Sequence, residues 1–468
     1  MSPPEARRPN IVMILTDDHA AHAISAYGSV VNTTPRIDEI ARLGLRFDNC
    51  FATNSLCSPS RASILTGTYS HVNGVTTLVT PIDASQPTFV SALKAAGYRT
   101  AMIGKWHMGD GPGHNPEDFD YWDVLIEQGE YLDPNFLDKS GLRQVTGYAT
   151  DIITDLALTW IAAGEGPYCA LIYHKAPHRP WIPPAAFDDR YNDPVPLPPT
   201  FGDDYATRTS SARRAAMRIA EHLTLEDLKE PPPDGLSYDE EALWKYQRFM
   251  RDYLRCVDSV DDNVGRVVDF LRERGDFDDT LLMYASDQGF FLGDHGWFDK
   301  RFMYEESLRM PLVMSYPRRV VPGVVTEMVT NVDWAQTILE AAGVPAHPRM
   351  QGRSFWDLTT FERDGVYYRY WEHDDVFHKA PAHYGYRTAR YKLIYFYNDG
   401  MGIPGCGWGT YPPEWELYDL VADPAELRNV YELPEYRAIR AELKVAMWRE
   451  QARVGDQPHP SQPRPVGA

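Results

Sequence analysis

The stretch Cys57-Ser58-Pro59-Ser60-Arg61-Ala62-Ser63-Ile64-Leu65-Thr66-Gly67 constrains this chain more than any other. Pro59 suits a first helical turn, Ser58 can cap it and Gly67 can end it, so the run predicts a polar turn followed by a short helix. Cys57 then stands at a helix N-terminus, where free backbone N–H groups and the helix dipole favour negative charge. Arg61, one turn on, adds a fixed cation on the same side. A thiol there is a candidate nucleophile, and its surroundings are a candidate anion site. The plainer alternative is a buried structural cysteine ahead of a helix.

The formal net charge of −20 over 468 residues argues against nucleic acid or an anionic membrane as a partner. It also makes any cluster of Lys, Arg and His informative, since an anionic ligand needs a local exception to the overall field. With 43% hydrophobic and 24% charged residues, the composition is that of a globular protein. The length suits one large domain plus a smaller one, or two to three average domains. No apolar run approaches the ~20 residues of a membrane span. Met1 to Asn10 is polar and proline-rich, and Ile11 to Leu15 is too short for a signal-peptide core, so the chain reads as cytoplasmic. The five cysteines, Cys50, Cys57, Cys169, Cys256 and Cys406, are odd in number and scattered. They form neither a metal pattern nor a disulfide framework, which fits a reducing compartment.

Asn10 to Thr16 reads as a buried parallel strand and ends in Asp17-Asp18-His19. Adjacent acids at the carboxyl end of a buried strand repel one another, and in open α/β sheets that edge is where ligands bind. The functional reading is a divalent cation held by both carboxylates; the alternative is a solvated acidic loop. Helices are expected over Pro35 to Gly44, Gln86 to Gly97 and Tyr148 to Ala163, and a long one over Tyr238 to Gly275. A strand from Tyr98 to Ile103 runs into Gly104-Lys105-Trp106-His107-Met108-Gly109. If the chain stays extended, Lys105 and His107 point to one side, a pair suited to an anion and a proton transfer. Tyr168 to Tyr173 is a strand leading to His174-Lys175-Ala176-Pro177-His178-Arg179-Pro180. The two histidines have the spacing of a helical zinc pair, but the prolines oppose a helix and the Glu of HExxH is missing. They read instead as two cationic or proton-donating groups beside an anion. Trp181 to Pro233 reads as an excursion over the surface, and Thr280 to Ala285 as a buried strand leading to Ser286-Asp287-Gln288-Gly289.

Alternating strands and helices predict an α/β fold with a large, mostly parallel sheet over residues 1–370. From about Trp371 the texture becomes that of a small C-terminal α+β domain over residues 371–455. Its strands are expected within Tyr384 to Asp399 and Trp415 to Asp419, its helix over Pro434 to Gln451. The proline-rich remainder, 456–468, reads as a disordered tail.

Two strand ends thus supply acids, Asp17 with Asp18 and Asp287 with Gln288. Oxygen donors suit a hard cation, Ca²⁺ before Mg²⁺ or Mn²⁺. Around them stand Arg61, Lys105, His107, His178 and Lys300. Cys-x-Pro-Ser-Arg closed by Leu-Thr-Gly resembles the sulfatase signature, in which an enzyme oxidises the cysteine to formylglycine. Gly-Lys-Trp-His-x-Gly resembles a second sulfatase motif. The likeness covers nearly the whole chain and implies the alkaline-phosphatase-like fold. It also implies that Asp17, Asp18, Asp287, Gln288 and the modified Cys57 ligate the metal. Gln288 departs from the family pattern, since many relatives carry Asn or His there and its carbonyl reaches one methylene further than that of Asn. By the same resemblance, Arg61 and Lys105 orient the formylglycine and the sulfate. His107 helps to eliminate sulfate, while His178 and Lys300 bind it and protonate the leaving oxygen. His383-Tyr384-Gly385-Tyr386-Arg387-Thr388 and Trp415-Glu416-Leu417-Tyr418-Asp419 resemble the smaller domain of carbohydrate-sulfatase relatives.

The implied function is hydrolysis of an aryl, alkyl or carbohydrate sulfate ester. The implied partner is a formylglycine-generating enzyme acting on the unfolded chain. Hydrated formylglycine offers one oxygen to attack sulfur, and deprotonation of its second hydroxyl expels sulfate; a serine lacks that exit. A phosphonate monoester or phosphodiester hydrolase would use the same site, and a binding protein with an inherited pocket would keep Cys57 as a thiol. His373, His378, His383 and the cluster Tyr367, Tyr368, Tyr370 and Trp371 suit either a sugar-sized pocket or the core of the small domain.

Overall fold

The computed structural model describes residues 8–465; the rest of the polar N-terminal stretch and the last three residues lie outside it. Asn10–Thr16 is fully buried, and its side chains alternate between two cores. Val12 and Ile14 pack on one face of the sheet, Ile11, Met13 and Leu15 on the other. A strand apolar on both faces is stable only as a sheet centre covered by helices on each side. It pairs in parallel with Tyr168–Tyr173 and Thr280–Ser286. Among the described residues the sheet has ten strands. Its parallel middle is completed by Arg99–Lys105 and Tyr121–Leu125. Beyond that middle the sheet is mixed: Leu312–Ser315 runs antiparallel on one side, and Asn135–Asp138 and Gly141–Gln144 form an antiparallel ribbon on the other. The expected parallel arrangement therefore holds across the five middle strands and gives way to antiparallel pairing on either side of them.

The 37-residue helix Tyr238–Arg274 covers one face. Ser237 caps it reciprocally with Glu240, acids fill its first turn, basic residues its last, and Gly275 closes it in the left-handed conformation. The opposite face carries Cys57–Thr66, Phe89–Ala95 and Trp334–Ala341. The segment after Trp181 is more than a surface excursion. Trp181 is fully buried against Phe249 and Tyr253, and Arg208 is buried over Tyr304.

A second sheet is antiparallel throughout, in the order Gly365–Tyr370, His383–Thr388, Tyr391–Phe396, Glu414–Asp419. Its first strand lies ahead of residue 371, in the span expected to belong to the large domain. One face, with Tyr368, Tyr370 and Phe396, packs on Phe302 and Tyr304 of the large domain. The other, with Tyr367, Tyr384 and Tyr395, packs under the helix Arg437–Val454. The stretch expected to be a disordered tail is tied down as far as it is described. Asp456 accepts from Tyr367 Oη (2.6 Å) and Arg369 Nη1 (2.7 Å), Tyr395 Oη meets Ser461 Oγ (2.8 Å), and His459 stacks on Tyr397. The buried Arg369 guanidinium needs a carboxylate, and the tail supplies it; residues 466–468 lie outside the described structure.

Candidate active site

Four segments meet at the carboxyl edge of the parallel strands. Asp17 and Asp18 follow Asn10–Thr16, Asp287 and Gln288 follow Thr280–Ser286, Lys105 ends Arg99–Lys105, and the loop after Tyr173 brings His178. The helix carrying Cys57 and Arg61 closes the site from one face. It begins at Cys57 itself, with Leu56 at the N-cap, so Ser58 is an interior residue of the first turn rather than the cap. Gly67 ends it with φ 62°, as expected.

Arg61 ties the acids together. Its Nε donates to Asp287 Oδ2 (2.9 Å), Nη2 to Asp17 Oδ2 (3.0 Å) and Nη1 to the Lys105 carbonyl (2.6 Å), all fully buried. Lys105 Nζ reaches the same Asp17 oxygen at 2.6 Å and donates to Gln128 Oε1 at 2.6 Å. Lys300 Nζ pairs with Asp18 Oδ2 at 2.7 Å, and His178 Nε2 stands 3.7 Å from that oxygen. His178 Nδ1 faces the Arg179 carbonyl at 2.6 Å, so Nδ1 carries the proton and Nε2 is left for the site.

Asp17, Asp18 and Asp287 each present an oxygen within 4.8 Å of the others, and Asp17, Cys57 and His178 form an overlapping group. Burial opposes ionisation of Asp17, but the fixed cations Lys105, Arg61 and Lys300 overcome it and hold the carboxyl well below the usual range. Burial raises Asp18 to about 6, with Lys300 opposing and Asp17 adding. Burial and the Asp17 charge raise Asp287 to about 8, against Arg61. Gln288 donates Nε2 to Asp18 Oδ1 (2.7 Å) and leaves its buried Oε1 without a partner. Crowded carboxylates with an orphaned amide oxygen beside them are a donor set that fits a hard divalent cation.

Three expectations are corrected. The Cys57 thiol is not activated: burial and the Asp17 carboxylate, whose Oδ1 it meets at 3.3 Å, push it well above its ordinary value. His107 does not continue an extended chain, since its φ is 53°; the left-handed turn sets its Nδ1 3.5 Å from Ser58 Oγ. His174 is no cationic group, because neither ring nitrogen has a partner and burial lowers it to about 3. His107 and His178 are likewise kept neutral, by burial first and then by Lys105. Lys300 stays cationic, since the Asp18 and Asp299 carboxylates outweigh its burial.

The open alternative for the small domain resolves towards core. His383 packs among Phe302, Tyr368, Tyr370 and Phe396. His373 accepts from Ala382 N and faces the Gly409 carbonyl. Tyr367, Tyr368, Tyr370 and Trp371 are buried. Sequence reasoning missed Gln128 and Lys175. Lys175 is a buried lysine over the Tyr131 ring that burial and Lys105 bring down to about 7. Gln128 lies in no motif, and Lys175, although inside the run from His174 to Pro180, carries no role in that reading; the fold brings both here. A cavity of about 540 Å³ lined by His22, Tyr246, Asp294, Glu306, Arg309 and Arg387 shares no residue with the cluster.

The alkaline-phosphatase-like fold and this site define a sulfatase. The chain belongs to that family: the model described as Sulfatase matches residues 9–344, and that described as N-sulphoglucosamine sulphohydrolase, C-terminal, matches residues 293–453. It is a sulfuric ester hydrolase. It is 39% identical to an N-acetylglucosamine-6-O-sulfatase of Bacteroides thetaiotaomicron over 97% of this chain and 88% of the relative. It superposes with TM-score 0.88 and 38% identity on a protein solved in complex with its substrate D-glucosamine-2-N,6-O-disulfate, covering 96% of this chain and 98% of that one. A phosphonate monoester hydrolase of Agrobacterium radiobacter, at 21% identity and TM-score 0.73 over 96% of each chain, shares the fold. No described helix is long and apolar enough to cross a membrane.

Proposed function

We propose that this sulfatase removes the 6-O-sulfate of a glucosamine-type sugar, using formylglycine made from Cys57 and one divalent cation. The observation that carries the reading is the constellation of Asp17, Asp18 and Asp287 with Arg61, Lys105 and Lys300 around Cys57 in a protein of net charge −20. The 39% identical glucosamine sulfatase supports the sugar and the position. The cation, Ca²⁺ by its oxygen donors, would be held by Asp17, Asp18, Asp287, Gln288 and the modified Cys57, and would supply charge neutralisation for the sulfate. A formylglycine-generating enzyme, acting on the unfolded chain, explains how so deeply buried a thiol is reached. The modified side chain supplies an oxygen nucleophile for sulfur and a second hydroxyl through which sulfate leaves.

The remaining roles follow from charge state. Arg61 and Lys105 are fixed cations that hold Asp17 and the sulfate in register without reorganising during the reaction. His107, neutral and beside the first turn of the Cys57 helix, is free to accept a proton there. Lys300, held cationic beside Asp18, is the proton donor for the leaving sugar oxygen. His178, neutral with an unprotonated Nε2 turned inward, is left to accept a hydrogen bond from the substrate.

The test is the mass of tryptic peptide Phe47–Arg61 from a host able to modify it, followed by rates on 6-O-sulfated N-acetylglucosamine, an aryl sulfate and a phosphate diester. The expected result is a mass matching CH₂SH replaced by CHO, with the sugar sulfate preferred. Cys57→Ser should give at most a single turnover, since serine has no second hydroxyl. An unmodified thiol in an active enzyme, or steady turnover by the serine variant, would overturn the nucleophile assignment; preference for the diester would overturn the substrate.

A further inference from the structure

The aromatic residues first suited to a sugar pocket are buried, yet other apolar side chains stand uncovered at the rim of the site. Trp408 is 96% exposed, Phe377 78% and Val79 60%. Their three loops form one continuous border. The loop with Val79 joins the His107 turn, through Ile82 N to the Met108 carbonyl (2.8 Å), and the approach to Cys57, through Asn54 Nδ2 to the Thr76 carbonyl (3.3 Å). Thr77 Oγ1 donates to the Pro404 carbonyl (2.7 Å) in the loop that carries Trp408. Leu78 N donates to Glu372 (2.8 Å), which opens the loop that carries Phe377. That loop returns to the site at His378, whose Nε2 is 3.3 Å from Asp299, the residue before Lys300. The border thus runs from His107 on one side to Lys300 on the other.

Trp408 is not exposed because its loop is loose. Gly407 N donates to the His373 carbonyl, His373 Nε2 meets the Gly409 carbonyl (2.8 Å), and His373 N donates to Cys406 Sγ (3.2 Å). Both flanking glycines press on Asp374; a Cβ at Gly407 would fall 2.2 Å from its carbonyl oxygen and one at Gly409 2.7 Å from its carboxylate. The loop backbone is thus fixed on both sides of Trp408, so the indole is offered to solvent from a rigid base, a surface suited to a ligand.

We propose that Trp408 is the platform for a second sugar ring, the neighbour of the sulfated one, so that the enzyme selects oligosaccharides over monosaccharides. A pyranose fits this surface because its C–H face stacks on an aromatic ring while its hydroxyls meet polar groups at the ring's edge. The Asp374 carboxylate lies against Gly409, the residue after Trp408, where it would accept hydroxyls and repel a second anion, which favours a neutral sugar as the neighbouring ring. The inference rests on the sugar-sulfate reading.

The test is the ratio of kcat/KM for a disaccharide of 6-O-sulfated N-acetylglucosamine and a neutral sugar to that for the sulfated monosaccharide. The wild type should favour the disaccharide. In Trp408→Ala the ratio should fall about tenfold, the size of one stacked ring, with the loss carried in KM, and Trp408→Phe should recover most of it. Because the side chain is exposed, the variants should melt as the wild type does. A ratio unchanged in Trp408→Ala, or a wild type without preference, would overturn the platform and leave the sugar reading standing. A wild type inactive on both sugars but active on aryl sulfates would overturn the sugar reading and the platform with it.

Discussion

Binding of the divalent cation should be steeply and stepwise dependent on pH. In the metal-free fold Asp18 titrates at about 6 and Asp287 at about 8, while Asp17 stays ionised. An unfolded aspartate titrates near ~3.9. For Asp18 and Asp287 the folded value lies above the unfolded one, so what they contribute to stability is fully present below about pH 4. It is lost as pH rises through about 6 for the first and about 8 for the second. Asp17, depressed, contributes stability lost only in stronger acid and adds no slope in this window. A cation ligated by all three carboxylates must displace the two protons. Its apparent affinity should therefore rise ~100-fold between pH 5 and 6, ~10-fold per unit from 6 to 8, and level off above. The total is ~10⁴-fold, roughly 5 kcal/mol. Titrating stripped full-length protein with Ca²⁺ by calorimetry in two buffers of different ionisation enthalpy reads both the affinity and the protons released. About two protons should leave at pH 5.5, one at pH 7 and none at pH 9. An affinity flat from pH 5 to 8, with no proton release, would refute shared ligation by these carboxylates.

Two further outcomes follow from named contacts. Lys300→Ala should cost a sugar sulfate ~10²-fold or more in kcat but an aryl sulfate, whose leaving oxygen needs no proton, less than ~10-fold. Equal losses on the two substrates would remove Lys300 from proton donation. Asp456→Ala strips the buried Arg369 of its carboxylate and should cost about 3 kcal/mol in urea unfolding, with activity retained under native conditions. A cost below about 0.5 kcal/mol would return the tail to the unstructured segment that its composition suggests.

What was legible beforehand was local. The Cys57 helix, the strand from Asn10 to Thr16 and the acids that follow it lie in short runs whose chemistry and periodicity agree. The ordered tail was not legible, because its partners Tyr367 and Arg369 stand more than eighty residues upstream and proline-rich composition carries no trace of them. Nor were the antiparallel margins of the sheet, since a short strand reads alike in either direction. His373, His378 and His383 looked equally fit for a pocket or a core until the fold set each against its neighbours.

The backbone of the site explains why extended geometry misjudges it. Asp18, His107, Asp299 and Arg301 all have positive φ, at 65°, 53°, 79° and 85°, and each such non-glycine residue costs of order 1–3 kcal/mol. The cost persists only where surrounding contacts fix the conformation. Tyr253 Oη holds the Asp18 carbonyl at 2.9 Å, and Asp299 Oδ1 accepts from Lys300 N (2.8 Å) and Arg301 Nε (3.2 Å). Arg301 is gripped in turn by Tyr370 Oη (2.9 Å) and Glu372 Oε1 (3.0 Å), and its carbonyl accepts from Tyr368 Oη (2.5 Å). Three residues of the small domain's first strand and its extension thus brace the strained turn that presents Lys300 to Asp18. The small domain belongs to the site's machinery for this reason, even though none of these three touches Asp17, Cys57 or Asp287. Separating the two domains would release the turn and with it the lysine that pairs with Asp18, while the Arg61 contacts to Asp17 and Asp287 stayed in place.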